Sequence, residues 1–139
     1  MKKNLKIADK LRSSGLRPTK QRIQIAKFLF EREKTFHFTV EDLDHLINLK
    51  ENKDKISLAT FYNTVHSFKK AGHLKEILTN NNKNYFDTNV SSHHHFFDEK
   101  NNELTDINSE EVELKNVPAA PKGKKIKDID VIINIDNHS

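Results

Sequence analysis

The chain has 139 residues, with 24 Lys and Arg against 20 Asp and Glu, 8 His and no Cys. This length allows one ordinary domain or two very small ones. The absence of cysteine excludes disulfides, thiolate nucleophiles, iron–sulfur ligation and a Cys-type structural zinc site, so any metal must be held by nitrogen and oxygen. There is no run of about eighteen apolar residues to span a membrane, and the charged start Met1-Lys2-Lys3-Asn4-Leu5-Lys6 lacks the apolar core of a secretion signal. The expected location is therefore the cytoplasm.

Charge is divided unevenly. Residues 1–78 carry 17 basic against 9 acidic side chains (+8), and residues 79–139 carry 7 against 11 (−4). A basic first half points to a polyanion partner bound through its phosphates, or to a plain lysine-rich surface.

In chain order, Leu5, Ile7, Ala8 and Leu11 form a helical stripe that stops at Gly15, a residue suited to a C-terminal cap. Pro18 then biases Arg17 away from helix, and Thr19 offers a side-chain cap for a second helix. Arg17, Lys20 and Arg22 gather at that helix start, where free backbone N–H groups also attract phosphate. From Ile23 to Phe30 the apolar positions are dense enough for a helix buried over much of its circumference. Thr39, with Asp42 three residues on, caps a third helix whose expected buried face is Val40, Leu43, Leu46 and Ile47. A polar connection, Lys50 to Lys55, follows.

Ser57 caps a fourth helix in which Leu58, Phe61, Tyr62, Val65 and Phe68 recur at offsets of three and four until Gly72. Its other side, Thr60, Asn63, Thr64 and Ser67, is small, neutral and rich in hydrogen-bonding groups. Such a face suits a DNA major groove, where Asn reads adenine and Thr meets a thymine methyl; an ordinary amphipathic helix has the same periodicity. His73–Leu78 and Lys83–Asp87 flank an Asn-rich turn and read as a hairpin. Helices followed by a hairpin form the order of a winged helix-turn-helix.

Next comes Ser91-Ser92-His93-His94-His95-Phe96-Phe97. On a strand, His93 and His95 project to one side and His94 to the other. Such a run reads either as ligands or as the polar start of a strand. Phe96-Phe97 and Leu104–Ile107 flank another turn, Val112-Glu113-Leu114 is expected to continue the sheet, and Ile129–Ile135 is strand-like. About fifty residues with so few apolar side chains bury too little to fold alone, so dimerisation through the last strand's open edge is expected. The expected fold class is α+β, with a winged helix-turn-helix over 1–88 followed by a small C-terminal α/β sensing and dimerisation domain over 89–139.

Gly15–Arg22, Ser57–Val65, Lys83–Asp87 and His93–Phe96 together resemble the ferric uptake regulator family over residues 5–107. Within it, Tyr62-Asn63-Thr64, the His triplet before two Phe and the lack of Cys look most like the iron response regulators of alphaproteobacteria. The resemblance implies a homodimeric repressor, not an enzyme, that binds AT-rich, partly palindromic double-stranded operator DNA through Arg17, Thr19, Arg22, Ser57, Thr60, Tyr62 and Asn63. Tyr62 would press on thymine methyls and Arg17 would reach the minor groove, whereas Asn63 replaces the family's arginine. It also implies a regulatory metal site at His37, Asp87, His93 and His95, with Asp87 in place of a glutamate. A second family site lacks a histidine at Ser92, and the usual cysteine positions fall on Asp98 and Asn101. The branch resemblance implies haem held by His93, His94 and His95, responding to haem or iron status and controlling haem synthesis and iron genes. The alternative is Fe(II), Mn(II) or Zn(II) as corepressor of metal-uptake genes. A His-ligated metallohydrolase is a third class, but no His-Glu-x-x-His signature is present.

Overall fold

The computed structural model describes residues 2–49 and 55–138, in two compact units, Met1–Val90 and Ser91–Ser139. In the first unit, α1 (Lys2–Ser13) and α2 (Lys20–Phe30) are followed by α3 (Val40–Asn48) and α4 (Leu58–Lys70). Each of the last three starts at the residue that its sequence marks. Thr19 accepts from Arg22 N at 3.3 Å, Ser57 accepts from Thr60 N at 3.2 Å, and Thr39 and Asp42 form a reciprocal capping box. Both α1 and α4 end with a left-handed glycine, Gly15 at φ 83° and Gly72 at φ 88°. The following residues close the last turns, Leu16 N donating to Leu11 O and His73 N to Phe68 O, each at 2.8 Å.

The core of this unit joins Ile25, Leu29, Leu43, Phe61, Val65 and Phe68 to Phe38 and Phe86 of its sheet, with Ile23, Phe28 and Phe30 partly buried against it. Four side chains depart from the expected faces: Thr64, Tyr62, Leu46 and also Leu58, which as the first residue of α4 is 43% exposed. Thr64 is buried, because it stands three residues after Phe61 and four before Phe68, inside the stripe; Tyr62 lies outside that stripe and is exposed. Leu46 is 41% exposed, since α3 turns Val40, Leu43 and Ile47 inward and leaves no room for it on that arc. Leu5 lies outside the described side chains, and of the polar connection at Lys50–Lys55 only Lys55 is described.

A short strand that the sequence does not announce, β1 (His37–Phe38), joins β2 (Lys75–Leu78) and β3 (Asn84–Asp87) in an antiparallel sheet of order β1-β3-β2. Its register sets His37 opposite Asp87 and Phe38 opposite Phe86.

The second unit is a sheet of order β5-β4-β6, built from β4 (His93–Asp98), β5 (Glu103–Asn108) and β6 (Ile132–Ile135). β4 pairs antiparallel with β5 and parallel with β6. Val112-Glu113-Leu114 does not extend this sheet. A 3-10 turn at Ser109–Glu111 ends β5, and both edges of β4 are already taken. β6 is also shorter than its apolar run, beginning at Ile132. Ahead of it, Val131 is fastened through its carbonyl to His95 N at 3.1 Å and through its N–H to His94 Nδ1 at 3.0 Å. The fold is α+β, and no helix among the described residues is long and apolar enough to cross a membrane.

Candidate functional site

In the second unit, the β4–β5 register sets His95 opposite Asp106, and strand alternation puts His93 on the same face. Asp106 Oδ1 lies 3.3 Å from His93 Nε2 and 3.2 Å from His95 Nε2, and the two rings are 4.4 Å apart. His93 and His95 are buried. The other nitrogen of His93 fixes its tautomer. Nδ1 stands 2.6 Å from the carbonyl oxygen of Ser91, which can only accept, so Nδ1 carries the proton. In the neutral ring Nε2 is then a lone pair facing a carboxylate. Two acceptors at that separation are reconciled by a cation between them, either a proton on the ring or a metal ion.

The distances are compatible with the second as well as with a hydrogen bond from the ring. Ligand atoms about 2.0–2.1 Å from a tetrahedral ion stand about 3.3–3.4 Å apart. An imidazole whose far N–H is held by a carbonyl is the usual arrangement of a metal-binding histidine. Asp106 is the candidate ligand that reading the sequence did not single out. Pairing Phe97 with Leu104 across the expected hairpin would have placed it opposite His95.

His94 behaves differently, as its position on the other face of β4 requires. It is also buried, and its Nδ1 accepts from Val131 N, which leaves the proton of the neutral ring on Nε2. Neither nitrogen is an open ligand atom in that state. Phe97 is fully buried and Phe96 partly so.

In the first unit, His37 Nε2 is 3.1 Å from Asp87 Oδ2. Asp87 is completely buried, and its other oxygen accepts from Asn89 N at 2.8 Å. A carboxylate so placed needs donors or a cation around it. His37, Asp87, His93, His95 and Asp106 are all of the chemical type that binds first-row divalent ions.

The nucleic-acid candidates occupy two helix starts of the first unit. Arg17 and Thr19 are exposed, while the Arg22 guanidinium turns back to donate to Arg17 O at 3.0 Å. At the start of α4 the hydroxyls of Ser57 and Thr60 share a hydrogen bond of 2.9 Å, and Asn63 is exposed. The Tyr62 hydroxyl donates to the Glu41 carboxylate of α3. That bond, then burial and the charge of Glu41, raise the Tyr62 phenol above its ordinary pKa.

Comparison with known proteins agrees with this architecture. The chain resembles the ferric uptake regulator of Pseudomonas aeruginosa solved with manganese (TM-score 0.70, 22% identity, covering 96% of this chain and 98% of that one). It also resembles the Vibrio cholerae ferric uptake regulator (TM-score 0.68, 21% identity, 94% and 98% covered) and a zinc-bound manganese uptake regulator (TM-score 0.67, 22% identity, 95% and 98% covered). At these identities the likeness speaks to fold. No curated protein sequence matches this chain. The model of the Ferric uptake regulator family matches residues 13–134. The chain therefore belongs to the ferric uptake regulator family, whose members are dimeric, metal-responsive DNA-binding regulators of transcription and not enzymes.

Proposed function

We propose that this chain is a cytoplasmic, homodimeric repressor that binds AT-rich, partly palindromic operator DNA when it holds a divalent ion. The observation that carries the reading is the Asp106 carboxylate facing two Nε2 atoms, one of them a lone pair by the tautomer that Ser91 imposes. His93, His95 and Asp106 would hold the ion, and His37 with Asp87, the pair that family resemblance assigns to the same ion, would complete the donor set. The ion supplies positive charge that carboxylates and imidazoles share, and it favours whichever arrangement of the chain presents all the donors. The donors, nitrogen and oxygen only, suit Fe(II), Mn(II) or Zn(II).

On the DNA side, α4 would lie in the major groove with Tyr62 and Asn63 at base edges and Ser57 and Thr60 near the backbone. Arg17, Thr19 and Arg22 would meet phosphate or the minor groove. Three features support this reading: a basic first unit, a helix start rich in donors, and an exposed tyrosine and asparagine one turn into α4.

A narrower reading is a haem-responsive regulator of haem synthesis and iron genes, like the iron response branch. It rests on His93-His94-His95 and the flanking phenylalanines. The burial of all three rings and the bond from Val131 to His94 weigh toward a bare ion. The deciding experiment titrates apo-protein on a duplex selected from a randomised pool, adding haem, Fe(II), Mn(II) and Zn(II) separately. A divalent ion should tighten binding, and changing both His93 and His95 to Ala should abolish that response. If haem alone changes the affinity, by lowering it, the bare-ion reading is wrong.

A further inference from the structure

Beside α4, the first unit has an open cleft of about 430 Å³ whose lining includes Glu41, Tyr62, His66, Asn82 and Lys83. Glu41 is the second residue of α3, whose first turn is fixed by the Thr39–Asp42 capping box, so its carboxylate projects from a rigid point. Tyr62 donates its hydroxyl to that carboxylate, while His66, one turn further along α4, stacks against the ring at 6.4 Å and 20° between planes. His66 is itself steadied edge-on by Phe86 of β3, at 6.2 Å. The phenol is thus gripped at its hydroxyl by one helix and at its face by its own, although the residue is 37% exposed.

We propose that Glu41 is a positioning residue for DNA reading: by accepting from the Tyr62 hydroxyl it fixes the ring in the pose in which its face meets bases. The inference rests on the recognition-helix reading of α4. A free tyrosine samples several rotamers and loses that freedom on docking, whereas one already held does not. The hydroxyl, turned toward α3, leaves the ring's apolar face and edge for a methyl group.

The test is a double-mutant cycle between Glu41 and Tyr62. It is read as the affinity ratio between the selected duplex and a scrambled duplex at one salt concentration, with metal-loaded protein. Immobilising one such side chain corresponds to about a threefold to tenfold effect. Glu41→Ala should lower the ratio by that factor in the wild-type background and leave it unchanged in a Tyr62→Phe background. Glu41→Gln, which keeps an acceptor oxygen, should retain most of the ratio. In a Tyr85→Phe background, where one phenol remains, near-ultraviolet titration should show Tyr62 ionising at lower pH once Glu41 is Ala. Equal losses in both backgrounds, or a Glu41→Gln loss as large as that of Glu41→Ala, would overturn the inference. If Tyr62→Ala leaves the ratio unchanged, the recognition-helix assignment itself fails; if Tyr62→Ala lowers it without coupling to Glu41, only the positioning role fails.

Discussion

Asp106 shows how much a single carboxylate can decide. Its two imidazole neighbours were legible in the sequence as part of a triplet, but Asp106 sits eleven positions from His95 in a run that reads only as a strand. It becomes visible through register, which a sequence specifies weakly when turn length is ambiguous. Replacing it with Asn keeps the shape and removes the charge that balances a cation. Asp106→Asn should weaken Mn(II) or Zn(II) binding by at least about tenfold to hundredfold, the range for lost support of a metal ligand, as read by competition with a chromophoric chelator. Unchanged affinity would remove Asp106 from the donor set. Thr64 and Tyr62 make the complementary point. Of the expected stripe Phe61, Val65 and Phe68 are buried, whereas Leu58 and Tyr62 are exposed and the polar Thr64 takes a place inside it.

At the scale of elements, caps were the most readable feature, because each is a local bargain between one side chain and one N–H. β1 was not readable. Two residues carry no period, and the strand exists only because β3 offers an edge. A link between helices was equally hidden. His73, the residue that closes α4, shares a hydrogen bond of 2.7 Å with Ser14 at the end of α1, and its ring meets Phe30 and Phe68. Burial, and then the nearby charge of Lys10, lower its pKa below the ordinary histidine value of 6.5. The folded state therefore resists a proton that the unfolded chain accepts. The contribution of His73 to stability is complete above pH 6.5 and declines as pH falls through that value toward the lowered one. His73→Gln should flatten the dependence of thermal unfolding on pH between about 7 and 5. A profile identical to that of the wild type would show that the ring is not held neutral.

For the whole molecule, composition announced a basic first half and an acidic second half, and the boundary between compact units falls at Val90–Ser91. Ile133 and Ile135 on the edge strand β6 are 39% and 41% exposed. In a family of dimers, an exposed apolar edge is the natural seat of a twofold contact. Ile133→Asp should shift the protein toward monomer in sedimentation equilibrium and weaken operator binding with it, because two half-sites are then no longer read together. A variant that remains fully dimeric would move the contact elsewhere. The Val112–Leu114 run misled because a 3-10 turn at Ser109–Glu111 ends β5 just before it.

The parallel pairing of β4 with β6 also sets an order of events. His94 and Val131 are 37 residues apart, and the chain between them includes the long crossover from β5 to β6, whose one helical element is a single 3-10 turn. The β4–β5 hairpin closes over a four-residue turn. Short loops close in tens of nanoseconds and hairpins in microseconds, while distant parallel contacts wait for a larger loop entropy to be overcome. His93, His95 and Asp106 therefore come together on a hairpin before β6 arrives to lock His94.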